Sequence, residues 1–514
     1  EFRRVLFRSR NWKKMAILAC LTLSVGVLHA GTTTNTASTT KKSYSIDFDS
    51  SKYTVKTLTI NGVTINYRAY EQIVYVKNPI DTKYETMNFF VPEAYFNGES
   101  VNGYNNYDAP IFFPNQVGGY MPAEADSPGT SRDGVNPNAI FVALSKGYVV
   151  ASPGARGRVT KDSNGLYTGK APAAIVDLKA AVRYLHYNDK VMPGSANRIV
   201  SNGTSAGGAL SSLLGASGNN KDYDKYLKEI GAANASDAIL VVSAYCPITN
   251  LENADMAYEW LFNGINEYKS LKITQSTDFK VERTYVTGSM TEDQIKTSSE
   301  LKAMFPKYLN SLKLKDKKGN ILSLDSDGNG NFKDFVKSYI IASAQKAMDK
   351  GTDLSQLTWI SIKDNKVIDV DMNAYASNMG RLKVTSAFDK FDLSSGENSL
   401  FGTSTIDSQH FTAYGQKNST GSATMSDPKI IKMMNPMNYI GAKNTTTARY
   451  WRIRHGSIDS DTALAVPTIM ATKLQNLGYV VDFAIPWGVP HSGDYDLEEL
   501  FEWTDTIFKK MSLT

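Results

Sequence analysis

Apolar and polar residues alternate from residue 53 to 96, with turn signals at Asn61-Gly62 and Asn78-Pro79. Alternation of period two predicts antiparallel strands. From about residue 110 the rhythm changes. Short apolar runs at 109–113, 148–151, 199–201 and 239–245 are separated by helix-like stretches, among them 139–146 and 173–186. Strands spaced by helices predict βαβ units and a mainly parallel sheet, an α/β architecture. The pattern returns near the end, with a strand over 451–454, a helix over 462–477 and a strand over 480–485. Residues 251–435 are Lys- and Asn-rich, helix-biased and irregular, and read as one long insertion between consecutive strands, a mostly helical cap. The expected organisation is a core of residues 46–250 and 436–514 with a cap over 251–435.

The front end departs from this pattern. Six basic residues (Arg3, Arg4, Arg8, Arg10, Lys13, Lys14) precede an apolar run over 15–28 that ends in His29-Ala30 and a polar tract. A basic start, an apolar run of ~7–15 residues and a small residue describe a secretory signal peptide. A spanning helix needs about 20 apolar residues. Residues 1–30 are therefore expected as leader and 31–45 as linker, with the mature protein secreted or at the cell surface. Ile17-Leu18-Ala19-Cys20 resembles a degenerate lipid-attachment site, so membrane association is expected only through lipidation of Cys20.

The formal charge of +5 is contained within residues 1–30, and the remainder is neutral. Bulk electrostatics therefore gives no support to a nucleic-acid partner. With 42% hydrophobic and 21% charged residues over 514 positions, the chain is globular with ample core. Cys246 is the other cysteine, so the mature chain forms no internal disulfide. Its apolar run predicts a buried small hydrophobe.

The chemistry concentrates at Gly203-Thr204-Ser205-Ala206-Gly207, a G-x-S-x-G between a strand and a helical stretch. That setting lifts a serine hydroxyl clear of the sheet and aims helix N–H groups at developing negative charge. The pattern is that of an α/β-hydrolase, in which nucleophile, acid and histidine follow in chain order. His186 precedes the serine, and His410 lies in the insertion. His491, in the loop after the 480–485 strand, is the expected base. Asp459 ends the preceding strand segment and is the expected acid. Asp461 competes for that role and also stands where an N-cap of the 462 helix would. His455 is expected to support the loop. The oxyanion donors are expected to be the N–H of Ala206 and of Gly119 or Gly118, in the loop after the 109–113 strand.

Three segments carry a resemblance. S-N-G-T-S-A-G-G, R-H-G-S-I-D-S-D-T and D-F-A-I-P-W-G-V-P-H-S-G-D-Y-D resemble bacterial tannases, tannin acyl hydrolases of the α/β-hydrolase fold with a large cap. The similarity extends over most of the mature chain, including A-S-P-G-A-R-G-R and S-G-E-N-S-L-F-G. Thr204 and Pro490 stand where fungal-type tannases carry cysteines, so the resemblance is to the cysteine-free bacterial group. It implies a Ser205, Asp459, His491 triad. It also implies galloyl recognition by Lys383, Glu397 and Asp461. On sequence alone Lys383 and Glu397 read as solvated surface residues. The implied substrate is a small-molecule polyphenol ester, hydrolysed through an acyl-enzyme without a cofactor or metal.

The competing expectations are a feruloyl or general carboxylesterase with a different acyl pocket, and a non-catalytic polyphenol binder. The run 325–331 (D-S-D-G-N-G-N) resembles the start of a calcium-binding loop, but position twelve is Val336 in place of a bidentate Glu. A tight polar turn is expected there.

Overall fold

A computed structural model describes residues 42–275 and 281–511; the leader, most of the linker and Cys20 lie outside the described residues. Seven strands precede the long insertion: β1 (Thr54–Ile60), β2 (Val63–Val74), β3 (Thr86–Pro92), β4 (Pro110–Pro114), β5 (Val149–Pro153), β6 (Ser195–Thr204) and β7 (Val241–Tyr245). Two hairpins follow, β8 (Glu267–Gln275) with β9 (Val281–Ser289) and β10 (Ile360–Lys363) with β11 (Lys366–Val370). Strands β12 (Tyr450–Arg454) and β13 (Val480–Ala484) close the sequence.

Among the described residues the main sheet has nine strands in the order β1-β2-β3-β5-β4-β6-β7-β12-β13. The first three and the β3–β5 pairing are antiparallel, and every later pairing is parallel. β1 and β2 meet through Asn61-Gly62, both at positive φ (49° and 80°), the two-residue turn whose twist matches the strands it joins. Strands β3, β4, β5 and β7 are buried along their whole length, as expected of strands covered on both faces. Helices Ala173–Asn188 and Ala206–Ala216 pack on one another, and the C-terminal helix Leu497–Met511 places Phe501 against Phe112 and Tyr148.

One expectation needs correction. The helix expected from residue 462 begins at Ala465, with Leu464 as N-cap. Pro467 fixes that start. It lacks an N–H, so it must fall among the first residues, whose N–H groups have no helical partner. Asp461 is consequently not an N-cap. The insertion also contains the two hairpins. β10 and β11 turn through Asp364-Asn365, again a pair at positive φ (49° and 57°).

β12 pairs with β7 in register, Tyr450 opposite Val241 and Arg454 opposite Tyr245. Everything between them leaves the sheet and returns beside its point of departure. Its helices include Leu251–Phe262, Glu292–Ser311 with a full Thr291/Gln294 capping box, and Asn331–Asp349. The 325–331 run is a closed turn. Asp325 Oδ1 accepts from the N–H groups of Asp327 and Asn329, and the Gly328 carbonyl accepts from Trp260 Nε1.

Candidate active site

β6 ends in Thr204, and Ser205 takes φ 61°, ψ −121° before helix Ala206–Ala216 begins. A non-glycine residue in that region is strained by ~1–3 kcal/mol and persists only where its surroundings enforce it. Here they do. The Ser205 N–H donates to Tyr245 O at 2.9 Å. A Cβ on Gly203 would lie 2.3 Å from Gly207 O, and one on Gly207 would lie 2.7 Å from Val117 O. The elbow admits only glycine at both positions.

Ser205 Oγ lies 2.9 Å from His491 Nε2, and His491 Nδ1 lies 2.8 Å from Asp459 Oδ2. Three residues far apart in the chain thus form one hydrogen-bonded line at the carboxyl ends of β6, β12 and β13, where α/β sheets bind ligands. The acid and base loops are joined to each other. Ser457 N donates to Pro486 O at 2.9 Å, Ile458 N to Val489 O at 3.2 Å, and Gly488 N to Ser457 Oγ at 2.8 Å. Burial lowers the pKa of the His491 imidazole, but the carboxylates of Asp459 and then Asp461 outweigh it and hold the pKa well above its ordinary value. His455 is buried with Nδ1 3.7 Å from Asp459 Oδ2, and burial pushes its pKa down.

The loop after β4 packs against the same helix N-terminus. Asn115 Nδ2 donates to Asn202 O, Gly207 O and Ser211 Oγ. Gly119 and Tyr120 both have positive φ, 56° and 55°. Their carbonyls accept from Arg158, Gly119 O from Nε and Tyr120 O from the backbone N–H. Ala206 opens the helix itself.

Lys383 and Asp461 meet directly, Nζ to Oδ1 at 2.7 Å. Burial opposes ionisation of both. Even so, Lys383 and His491 hold Asp461 down to about 2, and Asp461 and Glu397 raise Lys383. Glu397 sits half-buried in the first turn of helix Gly396–Leu400. Its carboxylate makes no hydrogen bond or ion pair among the described residues, yet it acts electrostatically on Lys383, Arg158 and Tyr120. Asp461 and Glu397 therefore both act on Lys383, and Asp461 acts also on His491.

Several partners were invisible to sequence reasoning. Tyr258 Oη accepts from the N–H groups of Leu382 and Lys383 and donates to Ser460 O, tying the Lys383 segment to the Asp459 loop. His410 is not part of the hydrogen-bonded line. Its Nδ1 pairs with buried Asp389 at 2.6 Å, and Asp389 also receives Asn398 Nδ2 beside Glu397. His186 bonds Ala238 O. Cys246 is buried as expected, but it is more than filling. Its Sγ lies 3.9 Å from His491 Nε2 and donates to Ser492 O at 3.4 Å. Strand periodicity could report its burial but not the loop it faces. Asp494 and Asp496, close after His491, bond Asn202 and the pair Arg452 and Tyr245. Among the described residues the one trio of metal-ligating type is Cys246, Asp459 and His491, already engaged with each other.

Arg381 anchors the Lys383 segment from inside. Its guanidinium makes a fully buried pair with Glu259 (2.6 Å) and also donates to Phe262 O and Lys383 O. Arg381→Met should destabilise the protein by about 3–5 kcal/mol, because it strands a buried carboxylate. The urea midpoint measures this. A shift equivalent to less than about 1 kcal/mol would show that Glu259 is readily neutralised or rehydrated.

A family model described as BD-FAE matches residues 125–285. No curated protein matches the chain. The crystal structure of Fusobacterium nucleatum tannase is 55% identical, with a TM-score of 0.87, over 90% of this chain and 100% of that one. The chain belongs to the tannase family. A tannase from Lactobacillus plantarum, 45% identical, aligns with a TM-score of 0.88 over 90% of this chain and 100% of its own. A tannin acyl hydrolase solved in complex with ethyl gallate is 46% identical, with a TM-score of 0.85 over 90% and 98% of the two chains. Like these tannases, the chain is an α/β-hydrolase-fold carboxylic ester hydrolase.

Proposed function

We propose that this protein hydrolyses galloyl esters with Ser205 as nucleophile, His491 as base and Asp459 as the carboxylate that orients it. The 2.9 Å and 2.8 Å bonds of that line carry the reading. Ser205 Oγ attacks the ester carbonyl as its proton passes to His491 Nε2. The N–H groups of Ala206 and Gly119 receive the oxyanion. His491 then protonates the departing alcohol, and water, activated by the same imidazole, releases gallate from the acyl-enzyme.

Recognition falls to Lys383, Asp461 and Glu397. A galloyl ring presents three adjacent phenols, which carboxylates accept and an ammonium donates to. The relative bound to ethyl gallate supports this substrate class. Lys383 and Glu397 come from the segment between β7 and β12, which acts as a cap on the catalytic sheet. The leader over residues 1–30 directs the protein out of the cytoplasm, and membrane association would arise only if Cys20 were lipidated.

The test compares kcat/KM for methyl gallate, methyl 3,4,5-trimethoxybenzoate and methyl ferulate. Gallate should be preferred by about 10³-fold or more, because a site built to pair hydroxyls is left with unpaired polar groups by analogues lacking them. Equal cleavage of trimethoxybenzoate or ferulate would replace this reading with a feruloyl or general carboxylesterase.

A further inference from the structure

No helix or strand element spans residues 380–395, so regular main-chain structure does not set the spacing between Lys383 and Glu397. Buried side chains hold the segment instead, and Asp389 is their meeting point. Its Oδ1 accepts from Asn398 Nδ2 at 2.7 Å and faces His410 Nδ1 at 2.6 Å. Its Oδ2 accepts from Phe411 N at 3.2 Å, Thr412 N at 2.8 Å and Thr412 Oγ1 at 2.6 Å. These donors saturate the roughly four lone-pair sites that a carboxylate offers. Asp389, Asn398 and His410 are all fully buried. His410 Nε2 is buried without a hydrogen-bond partner among the described residues, so the Asp389–His410 pair reaches no hydroxyl and holds structure rather than relaying a proton.

Asp389 connects to both side chains proposed to read the ring from the insertion. Toward Lys383, the N–H groups of Phe388 and Asp389 donate to Asp255 at 2.7 Å and 3.0 Å. Asp255 is buried in helix Leu251–Phe262, which follows β7, so the segment is fastened next to the catalytic sheet. The Phe388 ring then carries the Lys383 ammonium 4.0 Å from its centroid. Toward Glu397, the partner of Asp389 is Asn398, the next residue in the five-residue helix Gly396–Leu400. Asn398 Oδ1 accepts from Lys390 N at 3.0 Å and Ser395 Oγ at 2.6 Å, and its Nδ2 also donates to Gln409 O.

We propose that Asp389 is a positioning residue for phenol recognition, which fixes Lys383 through Phe388 and Glu397 through Asn398 at one mutual spacing. The inference rests on the galloyl-esterase reading and deepens it, by naming what holds two of its recognition residues in place. Binding groups serve only when their supports hold them to within about 0.5 Å. Neither Lys383 nor Glu397 belongs to a long element that could supply such support. A buried carboxylate with every lone pair engaged does supply it, since any displacement of one partner leaves a buried polar group unsatisfied.

Steady-state constants measured on the full chain test this, with methyl gallate as the three-phenol ester and p-nitrophenyl acetate as an ester without phenols. Asp389→Asn turns one accepting oxygen into a donor, which in either orientation confronts other donors. It should raise KM for methyl gallate about tenfold or more, with kcat on both esters within about threefold of the unaltered protein. Asn398→Ala keeps the Asp389 carboxylate and cuts its link to the Glu397 turn, and should raise KM for methyl gallate about fivefold. In a Glu397→Gln background that effect should shrink below about twofold, because a residue acting through Glu397 then has nothing left to position. A role confined to stability would lower the rates on both esters together. Such a parallel loss in both variants, or an Asn398→Ala effect that persists undiminished beside Glu397→Gln, would overturn the positioning role. If Asp389→Asn does not fold, Asn398→Ala and the double variant decide the question. Failure of the unaltered protein to prefer methyl gallate over methyl 3,4,5-trimethoxybenzoate would instead remove the galloyl-esterase reading itself.

Discussion

Ser205→Ala lowers kcat on methyl gallate by roughly 10⁴–10⁶-fold and leaves the protein folded. The hydroxyl is the elbow group bonded to His491 Nε2, 2.9 Å away, and deleting it removes no packing. Alanine keeps a Cβ, so the positive φ at the elbow costs about the same before and after the change. The residual rate comes from binding and the oxyanion donors alone. Stopped-flow measurement of alcohol release should show a burst in the unaltered protein and none in the variant. A loss smaller than about tenfold would mean that another group attacks the ester.

Asp459→Asn should cost about 10⁴-fold in kcat, because an amide offers Nδ1 a donor and favours the wrong imidazole tautomer. Asp461→Asn is the informative contrast, since both carboxylates act on His491. Asp461 bonds Lys383 and not the imidazole, so its loss should fall on gallate discrimination and spare turnover of p-nitrophenyl acetate. The pH profile separates them further. Catalysis needs neutral His491, so activity falls as pH drops through its pKa. A neighbouring carboxylate raises that pKa, and removing the Asp461 charge should therefore move the acid limb of kcat/KM to lower pH. If Asp461→Asn proves as damaging as Asp459→Asn on p-nitrophenyl acetate, the two roles are exchanged.

The hydrogen-bonded line was legible because each member sits where chain order and strand-end placement put it. Ser205 follows β6, Asp459 follows β12 and His491 follows β13. Strand and helix rhythm also placed the sheet correctly, since long buried strands announce themselves by composition. The reading failed where local pattern is weak or where contact is made across the fold. The β10–β11 hairpin is short and largely exposed, so no apolar stripe marks it. Asp461 precedes a helix-like run and so resembles a cap, but Pro467 sets the helix start at Ala465. Cys246 meets a loop some 245 positions away, and no periodicity encodes such a meeting. Lys383 lies in an irregular segment and Glu397 in a five-residue helix too short to show a repeating pattern, so only the family resemblance points to them.

The in-register pairing of β7 with β12 has a consequence for how such enzymes diverge. A detour that starts and ends on adjacent strands can lengthen or shorten while both anchors stay put. Its closure cost grows only logarithmically, by about 0.6 kcal/mol per doubling of length. In the proposed mechanism, bond breaking is written on the sheet, whereas two of the three side chains proposed to read the ring, Lys383 and Glu397, are written on the detour. The acyl preference can accordingly be revised under weak thermodynamic constraint, and the hydrolytic line beneath it inherited unchanged.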